Sequence, residues 1–261
     1  MSSVDTAKKI INNSGNSFHA RVAKWLNENE WRVLISPYYM DQSQNKAREI
    51  DLMAERVVPI KDFFDRWIGD VVIRMYVECK FVSSHSVFWF TAKDMHAAEK
   101  LVCRTGGFRM DNPYTKEHHY LSTCDTVAKV FATEAKSQEQ DPFYKAINQV
   151  LNAYVSMHSR PTIFPALREG NRGTRVRLNY PVVVCSRFSK LFRTDFFQDS
   201  EPEQITENFQ LEVQYAYTDQ SNNARDDHFL IDFVEFDRLD QLCAKLIRNA
   251  EISAHLSERK A

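Results

Sequence analysis

The stretch Val71-Val-Ile-Arg-Met-Tyr-Val-Glu-Cys-Lys-Phe-Val82 alternates along its whole length. Ile73, Met75, Val77, Cys79 and Phe81 fall on one side, and Arg74, Tyr76, Glu78 and Lys80 on the other. Successive side chains of a β-strand point to opposite faces, so the segment reads as a strand with one apolar face. Near its end the other face carries an acid and a lysine together. Charged groups directed inward from a half-buried strand need a partner or a task.

Working upstream, Glu49 to Val58 reads as a second strand, with Ile50, Leu52 and Ala54 on one face and Glu49, Asp51 and Met53 on the other. Asp51 and Glu78 on neighbouring strands offer the carboxylate oxygens that Mg²⁺ prefers. A cation held there lowers the pKa of a bound water and offsets charge on a phosphate under attack. Lys80, two residues after Glu78, is placed to orient that water or to neutralise the transition state. The acid-x-Lys triplet recurs at Glu134-Ala-Lys136 and Glu258-Arg-Lys260, but there in polar or terminal surroundings. The competing structural reading is a sheet face open to water with a cross-strand ion pair.

Other elements follow from spacing. Phe18, Val22, Trp25 and Leu26 recur at helical intervals over Ser17 to Asn29, after a start at Gly15-Asn16-Ser17. Trp31 to Ser36 reads as a short strand. Pro59 to Asp70 reads as a long connection with a helical turn at Lys61 to Trp67, and Thr91 to Val102 as a helix. Cys103 to Asp125 is irregular. Phe143 to Met157 is a helix with Ile147, Leu151, Tyr154 and Val155 on its apolar face. Tyr180 to Ser186, Phe209 to Tyr217 and Phe229 to Phe236 read as strands, and Arg238 to Leu256 as a closing helix. This order predicts a single α/β domain over residues 1 to 261, a mixed central sheet flanked by helices, with a helical and irregular insertion at about 90 to 140.

Gly15-x-x-Phe18 before a helix, the Trp31-Arg-Val-Leu-Ile strand, Glu49-Ile50-Asp51 and Val77-Glu78-Cys79-Lys80-Phe81 together resemble the PD-(D/E)XK nuclease superfamily, which has the restriction-endonuclease-like fold. The likeness is closest to its Mrr-like and Holliday-junction-resolvase-like branches and covers about Ser17 to Phe81, and more loosely Tyr144 to the C-terminus. The resemblance implies a metal-dependent nuclease, most simply a DNA endonuclease. Asp51 and Glu78 would then be Mg²⁺ ligands (Mn²⁺ being the other candidate), the Cys79 carbonyl a third, and Lys80 the catalytic lysine. Related branches often carry a Glu directly after the Phe of the first helix, and here that position is His19. The resemblance also assigns the helix after the ExK strand to the site. There Lys145 and Gln149 share a polar stripe, Gln149 orienting a water or touching the substrate backbone. The alternative is a nuclease-like subunit without catalysis, kept for nucleic-acid binding or scaffolding. Another is a hydrolase acting on a small nucleotide.

Charge and composition set limits. The formal net charge of -1, from 34 basic and 35 acidic side chains, excludes a basic field over the whole chain, so a nucleic-acid partner needs a local patch. Arg172, Arg175 and Arg177, in a glycine-containing loop before a strand, are the candidate nucleic-acid contacts, followed after that strand by Arg187, Lys190 and Arg193. The five scattered cysteines lack CxxC spacing, as expected of reduced thiols in a cytoplasmic protein. Cys103, His118, His119 and Cys124 match no common zinc-finger spacing. No GxGxxG, Walker loop or GxSxG is present, which leaves nucleotide-driven and acyl-serine chemistry without a foothold. No run approaches the length of a membrane span. With no separate target-recognition segment, specificity would come from a partner subunit, and double-strand cutting from a homodimer.

Overall fold

The computed structural model describes residues 3–13, 15–42, 44–106, 113–134, 141–163, 174–219 and 221–258. Helices α1 (Ser3–Asn13) and α2 (Asn16–Glu28) lead into β1 (Arg32–Ile35), β2 (Tyr38–Asp41), β3 (Lys46–Glu49), β4 (Leu52–Lys61), β5 (Trp67–Lys80) and β6 (Ser86–Ala92). Then come α3 (Met95–Gly106), a 3-10 turn, α4 (His119–Ser122), β7 (Thr126–Thr133) and α5 (Pro142–Met157). The chain closes with β8 (Thr174–Cys185), β9 (Leu191–Asp195), β10 (Glu203–Gln204), β11 (Phe209–Thr218), β12 (Ala224–Glu235) and α6 (Leu239–Glu258).

Ten strands form one mixed sheet in the order β1-β4-β5-β8-β12-β11-β7-β6-β9-β10, and β2 and β3 pair in a small second sheet. The middle strands β5, β8 and β12 run parallel, while β4 is antiparallel to β5. The protein is therefore a mixed α/β fold with a large central sheet between helices.

Both faces of that sheet are covered. On one, Val77 and Cys79 of β5 pack with Phe18, Val22 and Leu26 of α2 and with Leu242 and Leu246 of α6. On the other, Tyr76 packs with Ile147, Val150 and Leu151 of α5 and with Tyr39 of β2. The alternation along β5 predicts one buried face, but Arg74, Tyr76 and Glu78 on the opposite face are fully buried as well. The open-face alternative is thereby excluded. Arg74 is accommodated by Glu55, 2.6 Å from its Nε, and by the carbonyls of Met157, Arg160 and Pro161 at 2.9–3.1 Å.

Several elements differ from the sequence reading. The expected helical turn at Lys61 to Trp67 is the tight end of a hairpin, because β4 and β5 stay paired out to Lys61 and Trp67. There Asp62 Oδ1 accepts from the N–H groups of Phe64 and Arg66, both at 2.9 Å, and so closes the turn. The expected strand from Glu49 breaks at Ile50–Asp51 into β3 and β4, which belong to different sheets. Strand β6 stands where no strand was expected. The segment expected as an insertion contributes β7 to the main sheet, where it pairs with β6 and β11. Helix α5 starts as expected from its residues: Asp141 caps the N–H groups of Phe143 and Tyr144, and Pro142 occupies the first turn.

Candidate active site

The site forms where β4 begins, beside the end of β5. The last register pair of the two strands at this end is Leu52 with Val77. One step further, Asp51 faces Glu78, but the chain there has already turned away: the Asp51 carbonyl accepts from Ser36 N–H at 2.9 Å and Ile50 N–H donates to Pro37 at 3.2 Å. Beyond Leu52, β5 therefore lacks its neighbour, and the Cys79 N–H would be an orphan donor. Asp51 supplies the acceptor, Oδ2 lying 2.7 Å from Cys79 N. In an extended strand the C=O and N–H of one residue leave on the same side. The Cys79 carbonyl thus aims into the same gap as the Asp51 carboxylate.

Three further side chains converge there. Glu78 is fully buried, with Oε1 3.4 Å from Asp51 N and Oε2 3.1 Å from Lys80 Nζ. The Lys80 ammonium is the ion-pair partner of this buried oxygen, which has no other hydrogen-bond partner. From the other face of the sheet, His19 of α2 brings Nε2 to 3.1 Å from Asp51 Oδ2. The side chains of Asp51, Lys80 and His19 are 16%, 19% and 26% exposed, so the cluster opens to solvent over a buried glutamate.

Electrostatics follow from that layering. Burial, reinforced by the Asp51 charge and opposed by Lys80, pushes Glu78 up to about 7. The hydrogen bond to Asp51 raises His19 above its usual value, against the effect of its own burial. Burial also drives the Cys79 thiol upward, so it stays protonated, and its backbone is the part of Cys79 available to a hard cation. Among the described residues, a ring nitrogen of His19, a carboxylate oxygen of Asp51 and the Cys79 Sγ lie within 4.8 Å of one another, a group that does not include Glu78. The carboxylates of Asp51 and of the buried Glu78 at this mouth offer the hard oxygen donors that a divalent cation takes.

The remaining expected residues divide. Gln149 reaches the main chain two residues before Asp51, donating from Nε2 to the Glu49 carbonyl at 3.4 Å, while its own carbonyl accepts from Tyr39 OH at 3.2 Å. It lines a groove with Lys145. Arg172 lies outside the described residues, and for Arg175 only the backbone is described, paired with Asp70. Arg177 pairs with Val72 and donates to the Ser159 carbonyl at 3.3 Å. Since Lys80 pairs with Cys185 in the same parallel register, Arg175 and Arg177 belong to the opposite end of the sheet, Arg177 being about 26 Å from the site by strand rise. The exposed Arg187 instead follows Ser186, which stands beside the site. Ser186 donates from its N–H to the Lys80 carbonyl at 2.9 Å and accepts from Val82 N–H through Oγ at 3.0 Å.

His118 and His119 have separate partners. His118 Nδ1 accepts from Tyr120 N–H, and His119 Nε2 meets Asp232 Oδ1 at 2.8 Å. Sequence reasoning missed the Glu55–Arg74 pair and the Ser186 bridge. Arg74 stood on the same polar face as Glu78, and that was the available signal. No helix of the described residues is long and apolar enough to cross a membrane. No protein-family model, curated protein or solved structure matches this chain.

Proposed function

We propose that this protein is a divalent-metal-dependent nuclease of restriction-endonuclease-like design that hydrolyses phosphodiester bonds, most simply in DNA. The observation that carries this reading is the convergence of Asp51, Glu78 and Lys80 at one solvent-open end of the sheet. Asp51, Glu78 and the Cys79 carbonyl would hold Mg²⁺ or Mn²⁺, which when bound supplies charge neutralisation and a more acidic water. Glu78 lies deepest, and its carboxylate is ready to trade repulsion from Asp51 for a cation. Lys80 lies nearer to solvent, where its ammonium orients the attacking water and offsets charge developing on the phosphate. The Cys79 N–H fixes the Asp51 carboxylate, which costs no reorganisation during reaction. Arg187 stands at the same end to meet a flanking phosphate.

One observation favours a second reading, a nuclease-like fold used for binding alone. Asp51 Oδ2 already accepts from both Cys79 N–H and His19. The two readings separate in one experiment: plasmid, junction, single-stranded DNA and RNA are incubated with the protein in Mg²⁺, Mn²⁺ or EDTA. Metal-dependent cleavage that disappears in a folded Asp51→Ala/Lys80→Ala variant supports hydrolysis. Undiminished cleavage by that variant rejects the site, and binding without cleavage under every condition selects the second reading.

A further inference from the structure

Along the solvent side of α5 runs a groove of about 550 Å³, within the size range of ligand pockets. Tyr144 and Tyr215 form part of its walls, and Lys145 brings a cationic side chain to it, while Arg48, also in the wall, is paired through Nε with Asp41 Oδ2 at 2.7 Å. Asn148 and Gln149 complete the lining in a specific orientation. Asn148 Nδ2 donates to the Tyr144 carbonyl at 2.8 Å, and Gln149 Nε2 to the Glu49 carbonyl at 3.4 Å. With both NH₂ groups turned to the backbone, the amide oxygens are left as acceptors for the groove. Tyr215 is held in place by its hydroxyl, which donates to Asn152 Oδ1 at 2.8 Å. The Glu49 carbonyl that Gln149 meets is two residues from Asp51, so one wall of the groove is tied through the main chain to the acid that precedes β4.

We propose that this groove receives an unpaired nucleotide of the strand being cut, which makes the substrate single-stranded or locally unpaired nucleic acid. The proposal rests on the hydrolytic reading above and deepens it. Aromatic walls stack a base through its π-face, the amide oxygens accept from exocyclic amino or ring N–H groups, and Lys145 meets a neighbouring phosphate. A base within a duplex offers none of this, since its faces are covered by stacking and its edge by pairing. This account gives Gln149 the role of a groove wall that positions the chain before Asp51.

The test is fluorescence anisotropy of a labelled single-stranded DNA oligonucleotide, its duplex, and RNA of the same sequence, with the full chain in EDTA. Tyr144 is 43% exposed, so its truncation spares the core. Tyr144→Ala is expected to weaken single-strand binding about tenfold, and Tyr144→Phe to retain it. Lys145→Ala is expected to reduce the salt slope by about 0.7. Duplex affinity stays unchanged in all three, and the strand type that loses affinity, DNA or RNA, is the one the groove takes. Wild-type single-strand affinity in Tyr144→Ala, an equal loss on duplex, or no single-strand binding by the wild type overturns the proposal. Cleavage is read separately. Intact cleavage with no effect of Tyr144→Ala on binding discards the groove alone; a Tyr144→Ala binding defect in a protein that cuts nothing discards hydrolysis alone.

Discussion

Glu78 Oε1 lies 3.4 Å from the main-chain nitrogen of Asp51, one step past Leu52 and Val77, the last register pair where β4 begins beside β5. The glutamate is buried and the aspartate partly open, so one acid is forced to bear the desolvation for both.

A pH dependence of stability follows. Glu78 is raised from 4.5 to about 7 in the folded protein. The unfolded chain releases this proton near 4.5 and the folded chain near 7, so between those values the unfolded state binds fewer protons and stability falls as pH rises. Glu78→Gln removes that penalty, and its stabilisation of the metal-free protein should be on the order of a few kcal/mol at pH ~8.5 and nearly absent at pH ~4.5. Urea melts at both pH values check it; an equal effect at both sinks it.

His19 titrates with the opposite sign. Its folded value lies above the usual 6.5, so its pairing with Asp51 is fully present below the unfolded pKa and fades as pH rises through the folded one. The imidazole resonances should titrate with a midpoint above 6.5 in the wild type and at a lower value in Asp51→Asn. NMR titration reads both midpoints, and identical values would remove the His19–Asp51 contact from the account.

Lys80→Ala should fold, because the ammonium sits at the solvent side, and should lose at least about 100-fold in cleavage rate. Gel assays under Mg²⁺ with circular dichroism as a folding control measure this. Retention of more than half the wild-type rate would remove Lys80 from the mechanism.

The two arginine groups make contrasting predictions. Arg187→Ala should weaken DNA binding and lower the salt slope by about 1, whereas Arg177→Ala should leave both unchanged. Anisotropy across a salt series decides, and a defect confined to Arg177→Ala would move the nucleic-acid path to the far end of the sheet.

Breaking the buried Arg74–Glu55 pair should be costly. Arg74→Met leaves Glu55 and three carbonyls without their donor, and a loss of about 3–5 kcal/mol is expected. Adding Glu55→Leu should recover only part of it, since Glu55 Oε2 also accepts from Ile163 N–H at 2.8 Å. Urea denaturation of both variants gives the two numbers to compare.

Much of the site was readable before the fold. The alternation through Glu78 and Lys80 marks the strand, and Asp51 heads the neighbouring strand, so the pairing register alone joins them. The burial of Arg74 was not readable, because alternation reports a polar face without saying that α5 covers it. The place of Arg175 and Arg177 was hidden for another reason. Whether their end of β8 meets the start or the finish of β5 depends on the parallel sense of that pairing, which no local pattern encodes. Strands β6 and β7 were obscured by the polar residues that flank them in the sequence.

Arg74 has one further consequence. Its guanidinium grips the carbonyls that close α5 and follow it, while its own backbone sits four residues before Glu78 on the same strand. That fork ties the C-terminal end of α5 to β5, while Tyr144 stands at the helix's other end. On the hydrolytic reading proposed above, a substitution at Arg74 would therefore act at a distance, on the spacing between the groove and the acid pair.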